Sequence, residues 1–104
     1  MTQFTNLAFF RARPGQTRAL GAALRAFVAP TRAESERLNY NLHRSLDEAD
    51  VWLVYENWRS AEGLDAHMKA PHLQAFLEVA PNLIAGDIRL RRFSMISSLA
   101  TQGA

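Results

Sequence analysis

The chain has 104 residues, a length typical of one compact domain. Apolar residues make up 48% and charged residues 21%, a composition that argues against disorder. The 12 basic residues barely outnumber the 10 acidic ones and form no long basic stripe, which argues against a nucleic-acid partner. We therefore expect one domain over residues 1–104, with its core from about residue 3 to about residue 99.

The chain contains no cysteine, which excludes disulfides, thiolate metal sites and cysteine nucleophiles. Its first residues lack the basic segment and long apolar core of a signal peptide, and no run approaches the ~20 apolar residues of a membrane span. These features predict a cytoplasmic protein with no membrane partner.

The first part of the chain predicts a strand followed by a helix. Residues 3–12 are rich in Phe and Leu and are typical of a strand, which Pro14 and Gly15 close with a turn. Over residues 16–36, apolar side chains recur at steps of three and four, as in an amphipathic helix. Pro30 predicts a kink or a break in this helix because it lacks an N–H group.

The middle of the chain predicts a β-hairpin. Residues 39–46 and residues 51–58 are strand-like segments, and the polar residues 47–50 form the loop between them. Ser60 is a plausible N-cap for a helix that runs to Ala70.

The last part predicts a further helical piece and a final strand. Pro71 ends or restarts the helix, residues 72–80 continue it up to Pro81, and residues 87–99 alternate as a strand. The order strand, helix, strand, strand, helix, strand predicts a ferredoxin-like α+β protomer. Its sheet is antiparallel, with the helices on one face.

Both faces of the predicted sheet carry large apolar side chains. Alternation places Phe4, Ala8 and Phe10 of the first strand on one face, and Leu7 and Phe9 on the other. Two helical regions can cover only one face, so the other face is expected to associate. We predict a homodimer joined through the sheets.

A carboxylate falls on the aromatic face of the third strand. Glu56 shares that face with Trp58, where an unpaired charge costs on the order of 2–5 kcal/mol. One interpretation is a structural ion pair with Arg89, Arg91 or Arg92. The other is a carboxylate of raised pKa that acts as a base or hydrogen-bond acceptor in a pocket.

The histidines suggest a pocket rather than a metal centre. His67 lies at helical spacing from Leu64 and Met68, either as an interior residue or as a proton shuttle or hydrogen-bond donor to a ligand. His67 and His72 are not at the i, i+4 spacing of a helical metal pair, and no carboxylate lies at ligand spacing. The sequence therefore predicts no metal.

Aromatic and amide side chains complete the set of candidates. Tyr40 and Trp58 belong to a hairpin rich in aromatic residues, which core packing explains and which would also suit a flat aromatic ligand. Asn6 lies among phenylalanines, where its amide needs partners such as a neighbouring loop.

Three segments carry a family resemblance: "RARPGQTRALGAALRAFVAPTRAE", "YNLHRS" and "YENWRSAEGLDAHMKAPHLQAF". Over about residues 5–96 the chain resembles the antibiotic biosynthesis monooxygenase superfamily of small dimeric α/β-barrel proteins. The most specific part of the resemblance is an ordered set of seven residues: Glu56, Trp58, Ser60, Leu64, His67, Pro71 and His72.

This resemblance implies a ligand cleft between sheet and helices, and oxidation of a phenol or quinol by O₂ with no cofactor. An electron-rich phenolate can itself reduce O₂, so the protein need only deprotonate and shelter it. The implied catalytic residues are His67, as base or hydrogen-bond donor, and Glu56, as orienting carboxylate. The implied substrate-binding residues are Trp58, as a stacking wall, and His72, Tyr40 and Asn6.

Two further functions stay open at this stage. The protein could be a non-catalytic dimeric module that binds a ligand or acts in stress or regulation, or an isomerase or decarboxylase that uses the same His and Glu without O₂. A cleft filled by Phe76, Leu77 and Met68 would favour the non-catalytic function.

Overall fold

The computed structural model describes residues 3–97. Its four strands are β1 (Phe4–Arg11), β2 (Arg37–Arg44), β3 (Val51–Trp58) and β4 (Arg89–Ser94). Its helices are α1 (Thr17–Ala26), α2 (Val28–Arg32), α3 (Ala61–Met68) and α4 (Pro71–Leu83). The strands form one antiparallel sheet in the order β2-β3-β1-β4. This arrangement confirms the ferredoxin-like α+β fold, with each predicted helical region divided into two helices.

The break in the first helical region lies at Phe27 rather than at Pro30. Pro30 is the third residue of α2, whereas α1 ends at Ala26, four residues before it. In a continuous helix the ring of Pro30 would clash with the Ala26 carbonyl, which would also lose its hydrogen bond. The proline therefore acts one turn upstream of its own position.

The expected helix end before Pro81 is wrong. The restart at Pro71 is confirmed as the first residue of α4, but α4 continues through Pro81 to Leu83. Pro81 has no N–H to bond the Leu77 carbonyl, yet α4 continues for two more residues beyond it. Its carbonyl accepts a hydrogen bond of 2.8 Å from Nε of Arg13, which ties the helix end to the turn after β1.

The last strand is shorter than the predicted 87–99. The strand β4 ends at Ser94 because Ser94 pairs with Phe4, and β1 has no residue before Phe4 with which a longer β4 could pair. Residues 98 and 99 of the predicted strand lie outside the described residues. The first and third strands lie within one residue of their predicted bounds, and β2 is present but runs from Arg37 to Arg44, two residues earlier at each end than the predicted 39–46.

The helices cover one face of the sheet, which we call the inner face. Buried Phe10, Trp52 and Val54 of this face pack with the helices in one hydrophobic core. No helix of residues 3–97 lies over the outer face, and Leu7 and Phe9 there are partly exposed. The alternation expected from the sequence is confirmed, while the dimer stays a prediction. No helix within residues 3–97 has the length and apolar character needed to cross a bilayer.

Candidate functional site

A cavity of about 230 Å³ lies between the inner face of the sheet and the helices. Its walls come from all four strands, from α3 and α4, and from Phe27 at the break between α1 and α2. The side chains of Phe76, Leu77 and Met68 line this space but do not fill it. An open cleft is therefore present where the resemblance implies one.

The polar side chains of the cavity come from one row across the sheet. Tyr40, Glu56 and Asn6 occupy directly opposed positions on β2, β3 and β1, and all three are buried. His67 of α3 also lines the cavity and is buried. The other lining residues are apolar: Ala8, Phe10, Phe27, Met68, Leu73, Phe76, Leu77, Ile88 and Leu90. The cavity thus has a polar end and apolar walls.

Glu56 has no basic partner. Arg89 and Arg91 lie opposite residues of the outer face, whereas Arg92 lies opposite Asn6 of the inner face but is exposed. Within the described residues no arginine forms an ion pair with Glu56. The structural ion pair is therefore wrong. The carboxylate accepts a hydrogen bond of 2.8 Å from Nε1 of Trp58. Burial raises the pKa of Glu56 to about 7, although the hydrogen bonds of Trp58 and Asn6 oppose that shift.

Tyr40 and Asn6 offer opposite hydrogen-bonding capacities. Burial, reinforced by the charges of Glu56 and Glu34, raises the pKa of Tyr40 above its ordinary value, so its hydroxyl stays protonated and can donate. The Oδ1 atom of Asn6 is buried and has no hydrogen-bond partner within the described residues. An unpaired buried acceptor is unusual in a folded protein, and it is suited to a donor on a bound molecule.

His67 is held by a carboxylate that lies far from it in the sequence. Its Nδ1 lies 2.8 Å from Oε2 of Glu34, and its ring centroid lies 4.8 Å from that of Trp58. Burial lowers the pKa of His67, while the bond and charge of Glu34 oppose this. With Glu34 ionised, Nδ1 carries the proton and Nε2 is an acceptor. No hydrogen bond within residues 3–97 uses Nε2, so it is available to a ligand.

His72 and Trp58 do not line the cavity. His72 is the second residue of α4, and its Nε2 lies 3.0 Å from the same Oε2 of Glu34. Trp58 is fully buried, where it packs against His67 and donates to Glu56. Its ring supports two pocket residues instead of offering a surface on which a ligand could stack.

Glu34 is the site residue that the sequence reasoning missed. It lies between α2 and β2, 33 positions from His67 and 38 from His72, so no spacing rule could associate them. The fold fixes the position of this segment through its neighbour Glu36. The Glu36 carbonyl accepts from the backbone N–H of Arg59, and its carboxylate accepts from Ser60 at 2.9 Å. Ser60 also caps α3, as predicted, by accepting from the N–H of Gly63.

Known proteins share this fold and part of this sequence. The chain is 39% identical over 66 residues to Rv0793 of Mycobacterium tuberculosis, named as a candidate monooxygenase, and 25% identical over 85 residues to sll1783 of Synechocystis. These matches span 64% and 58% of the lengths of those relatives. The solved structure of Rv0793 superposes with a TM-score of 0.88, covering 94% of this chain and 99% of that one at 28% identity.

A second solved structure has the same fold. PA3566 of Pseudomonas aeruginosa superposes with a TM-score of 0.88 at 30% identity, covering 93% of this chain and 97% of that one. Residues 3–79 also match the family model described as antibiotic biosynthesis monooxygenase. This match covers well over half of the chain and includes Asn6, Glu34, Tyr40, Glu56, His67 and His72. The chain therefore belongs to the antibiotic biosynthesis monooxygenase family.

Proposed function

We propose that the protein is a monooxygenase that oxidises a small aromatic phenol or quinol with O₂. The observation that carries this proposal is the polar end of the cavity, where Glu56, Tyr40, Asn6 and His67 meet inside otherwise apolar walls. Such a site can bind the ring of a phenol by burial and its hydroxyl by hydrogen bonds. Membership of the family supports an oxygenase over an unrelated activity on the same fold.

The proposed reaction needs no external reductant. A phenol with a free para position supplies all four electrons: O₂ breaks, one oxygen becomes the new carbonyl of a para-quinone, and the other leaves as water. A quinol, whose para position is occupied, supplies four electrons in the same way when one oxygen is added at a free ring carbon, which gives a hydroxyquinone and water. The substrate first loses its phenolic proton, since the phenolate is the form that transfers electrons readily to O₂. The protein must therefore accept one proton, hold the ring and exclude water during the reaction.

Two groups are suited to accept that proton. Nε2 of His67 is an unprotonated nitrogen because Glu34 fixes the other tautomer. Glu56 has a pKa of about 7, close to the range in which a general base works best at neutral pH. The protonated hydroxyl of Tyr40 then stabilises the phenolate oxygen by donating to it.

The size of the cavity limits the substrate to about one or two rings. An apolar cavity of about 150 Å³ holds benzene, and the cavity here is about 230 Å³. Its apolar walls favour unsubstituted or alkyl-substituted rings over ones that carry further charged groups. Naphthols and small hydroquinones are therefore the substrates to test first.

The test is O₂ consumption by the purified protein with a panel of hydroquinones and naphthols, with the product identified by mass. His67→Gln should lower kcat/KM by about 100-fold or more, because it removes a positioned base. His43→Gln is the matched control, since His43 is exposed on the outer face of β2. It should leave the rate unchanged.

Two results would favour the other functions. Ligand binding detected by thermal shift, with neither O₂ consumption nor product, would indicate a binding module. Conversion of a substrate without O₂ consumption would indicate isomerase or decarboxylase chemistry.

A further inference from the structure

Three side chains that commonly bind metals meet beside the cavity. Glu34 comes from the connection between α2 and β2, His67 from α3 and His72 from the first turn of α4. One ligand atom from each lies within 4.8 Å of the other two. The Oε2 atom of Glu34 lies 2.8 Å from Nδ1 of His67 and 3.0 Å from Nε2 of His72.

These distances suit a shared metal ion. First-row metals bind imidazole nitrogen and carboxylate oxygen at about 2.0–2.2 Å, which places neighbouring ligand atoms about 3 Å apart. The Oε2 atom of Glu34 is already at that separation from both nitrogens, and the two nitrogens lie within 4.8 Å of each other, so side-chain rotations that bring the imidazoles closer would place an ion among the three. Two imidazoles with one carboxylate favour Zn²⁺ and its neighbours in the first row over Mg²⁺ or Ca²⁺, which prefer oxygen ligands throughout.

The surroundings of the cluster combine access with rigidity. The side chains of Glu34 and His72 are each 20% exposed, so an ion can reach them from solvent. His67 is buried, with its ring against Trp58 and near Tyr40. Ligands that are fixed by packing before binding lose little conformational freedom when the metal arrives.

We propose that Glu34, His67 and His72 form a binding site for a divalent first-row transition metal, in the wall between cavity and solvent. The ion replaces the two hydrogen bonds of Glu34 and joins the α2–β2 connection to α3 and α4. It binds His67 through Nδ1, which must lose its proton, so the neutral ring then carries its proton on Nε2. The ion supplies no electrons to the proposed oxidation, but while it is bound His67 cannot act as the base, and Glu56 is the group left to accept the phenolic proton.

The test uses untagged protein, treated with a chelator and titrated with Co²⁺ while visible absorption is recorded. Wild type should show the d–d bands of Co²⁺ bound to nitrogen and oxygen ligands at one saturable site per chain, and Zn²⁺ should abolish those bands. Zn²⁺ should also raise the melting temperature, because it binds the folded state preferentially. His72→Gln and Glu34→Gln should each weaken Co²⁺ binding by at least about tenfold.

His43→Gln is again the control, because this exposed histidine lies on the opposite side of the sheet from the site. It should keep the wild-type affinity. The proposal is overturned if wild type shows neither d–d bands nor a rise in melting temperature. It is equally overturned if both His72→Gln and Glu34→Gln remain folded by circular dichroism and bind Co²⁺ as wild type does.

Discussion

Each face of the sheet carries one row of polar side chains, and the two rows are adjacent on the same three strands. The inner row is Tyr40, Glu56 and Asn6, and the outer row is Asn39, Asn57 and Thr5. The outer row is bonded to itself: the Thr5 hydroxyl donates to Oδ1 of Asn57, and Nδ2 of Asn57 donates to Oδ1 of Asn39 at 2.7 Å. In the inner row, Oδ1 of Asn6 has no partner within the described residues.

The difference shows why burial alone does not identify a functional site. Asn6 and Asn57 are both 2% exposed, yet only Asn57 uses its oxygen and its nitrogen within the protein. A satisfied polar row joins strands, as in any sheet. A row with an unpaired acceptor and a carboxylate of raised pKa is organised for a bound molecule.

The largest expected difference between the rows is in catalysis. Glu56→Gln in the inner row should lower kcat/KM for a phenol that the wild type oxidises by about 10²–10⁴-fold, because it removes a buried base. Thr5→Val in the outer row should change it by less than about threefold, since the Thr5 hydroxyl bonds to Asn57 of the outer row and Thr5 does not line the cavity. Steady-state O₂ consumption measures both. Equal losses of kcat/KM in the two variants would show that the inner row has no special role in catalysis.

The next largest expected effect is on dimer formation, which depends on the outer face alone. Wild type should be a dimer by light scattering at micromolar concentration, because the outer face carries apolar side chains with no helix over them. Leu53→Arg places an unpaired charge at the centre of this face and should weaken the dimer by about 100-fold or more. Leu46→Arg is the control, since Leu46 is fully exposed in the loop between β2 and β3. A monomeric wild type would contradict the prediction.

The free energy of unfolding should depend on pH through Glu56 of the inner row. The pKa of Glu56 is raised from 4.5 to about 7 in the folded state, so ionisation is resisted there and not in the unfolded chain. Relative to Glu56→Gln, wild type should therefore lose about 3 kcal/mol of unfolding free energy as pH rises from about 4.5 to about 7. Urea unfolding of both proteins across this range measures the difference.

The matched control for this titration is Glu78→Gln, which changes an exposed glutamate on α4. Its stability difference from wild type should stay nearly constant with pH. A Glu56→Gln difference that is equally flat would show that the carboxylate is ionised normally in the folded protein.

The smallest effect compares the two buried asparagines directly. Asn57→Leu should lower the unfolding free energy by about 1–2 kcal/mol, because Thr5 and Asn39 lose their shared partner. Asn6→Leu should cost less than this, because it removes an acceptor with no partner within the described residues and only one hydrogen bond, the one to Glu56. Urea unfolding at pH 5, where Glu56 is protonated, makes the comparison. A similar loss in both variants would show that Asn6 is a structural residue.

The sequence predicted the strands and the facing of their side chains with good accuracy. Period-two alternation is a local property, so the inner positions of Glu56 and Asn6 followed from it. The helix boundaries were less predictable. The helix before Pro30 ends at Ala26, four residues upstream, whereas α4 continues past Pro81 for two residues. Each proline removes one helical hydrogen bond and crowds the carbonyl four residues before it, so whether the helix breaks depends on tertiary contacts as well as on the proline.

The amino-acid sequence by itself determined the order of the elements, the two-faced sheet and the place of a carboxylate among aromatic side chains, because each follows from short-range periodicity. The tertiary structure alone decided that Glu34 meets His67 and His72, that Trp58 lies behind the pocket, and that Glu56 has no arginine partner. The contacts of Glu34 join segments more than 30 positions apart, so they depend on how the helices close over the sheet.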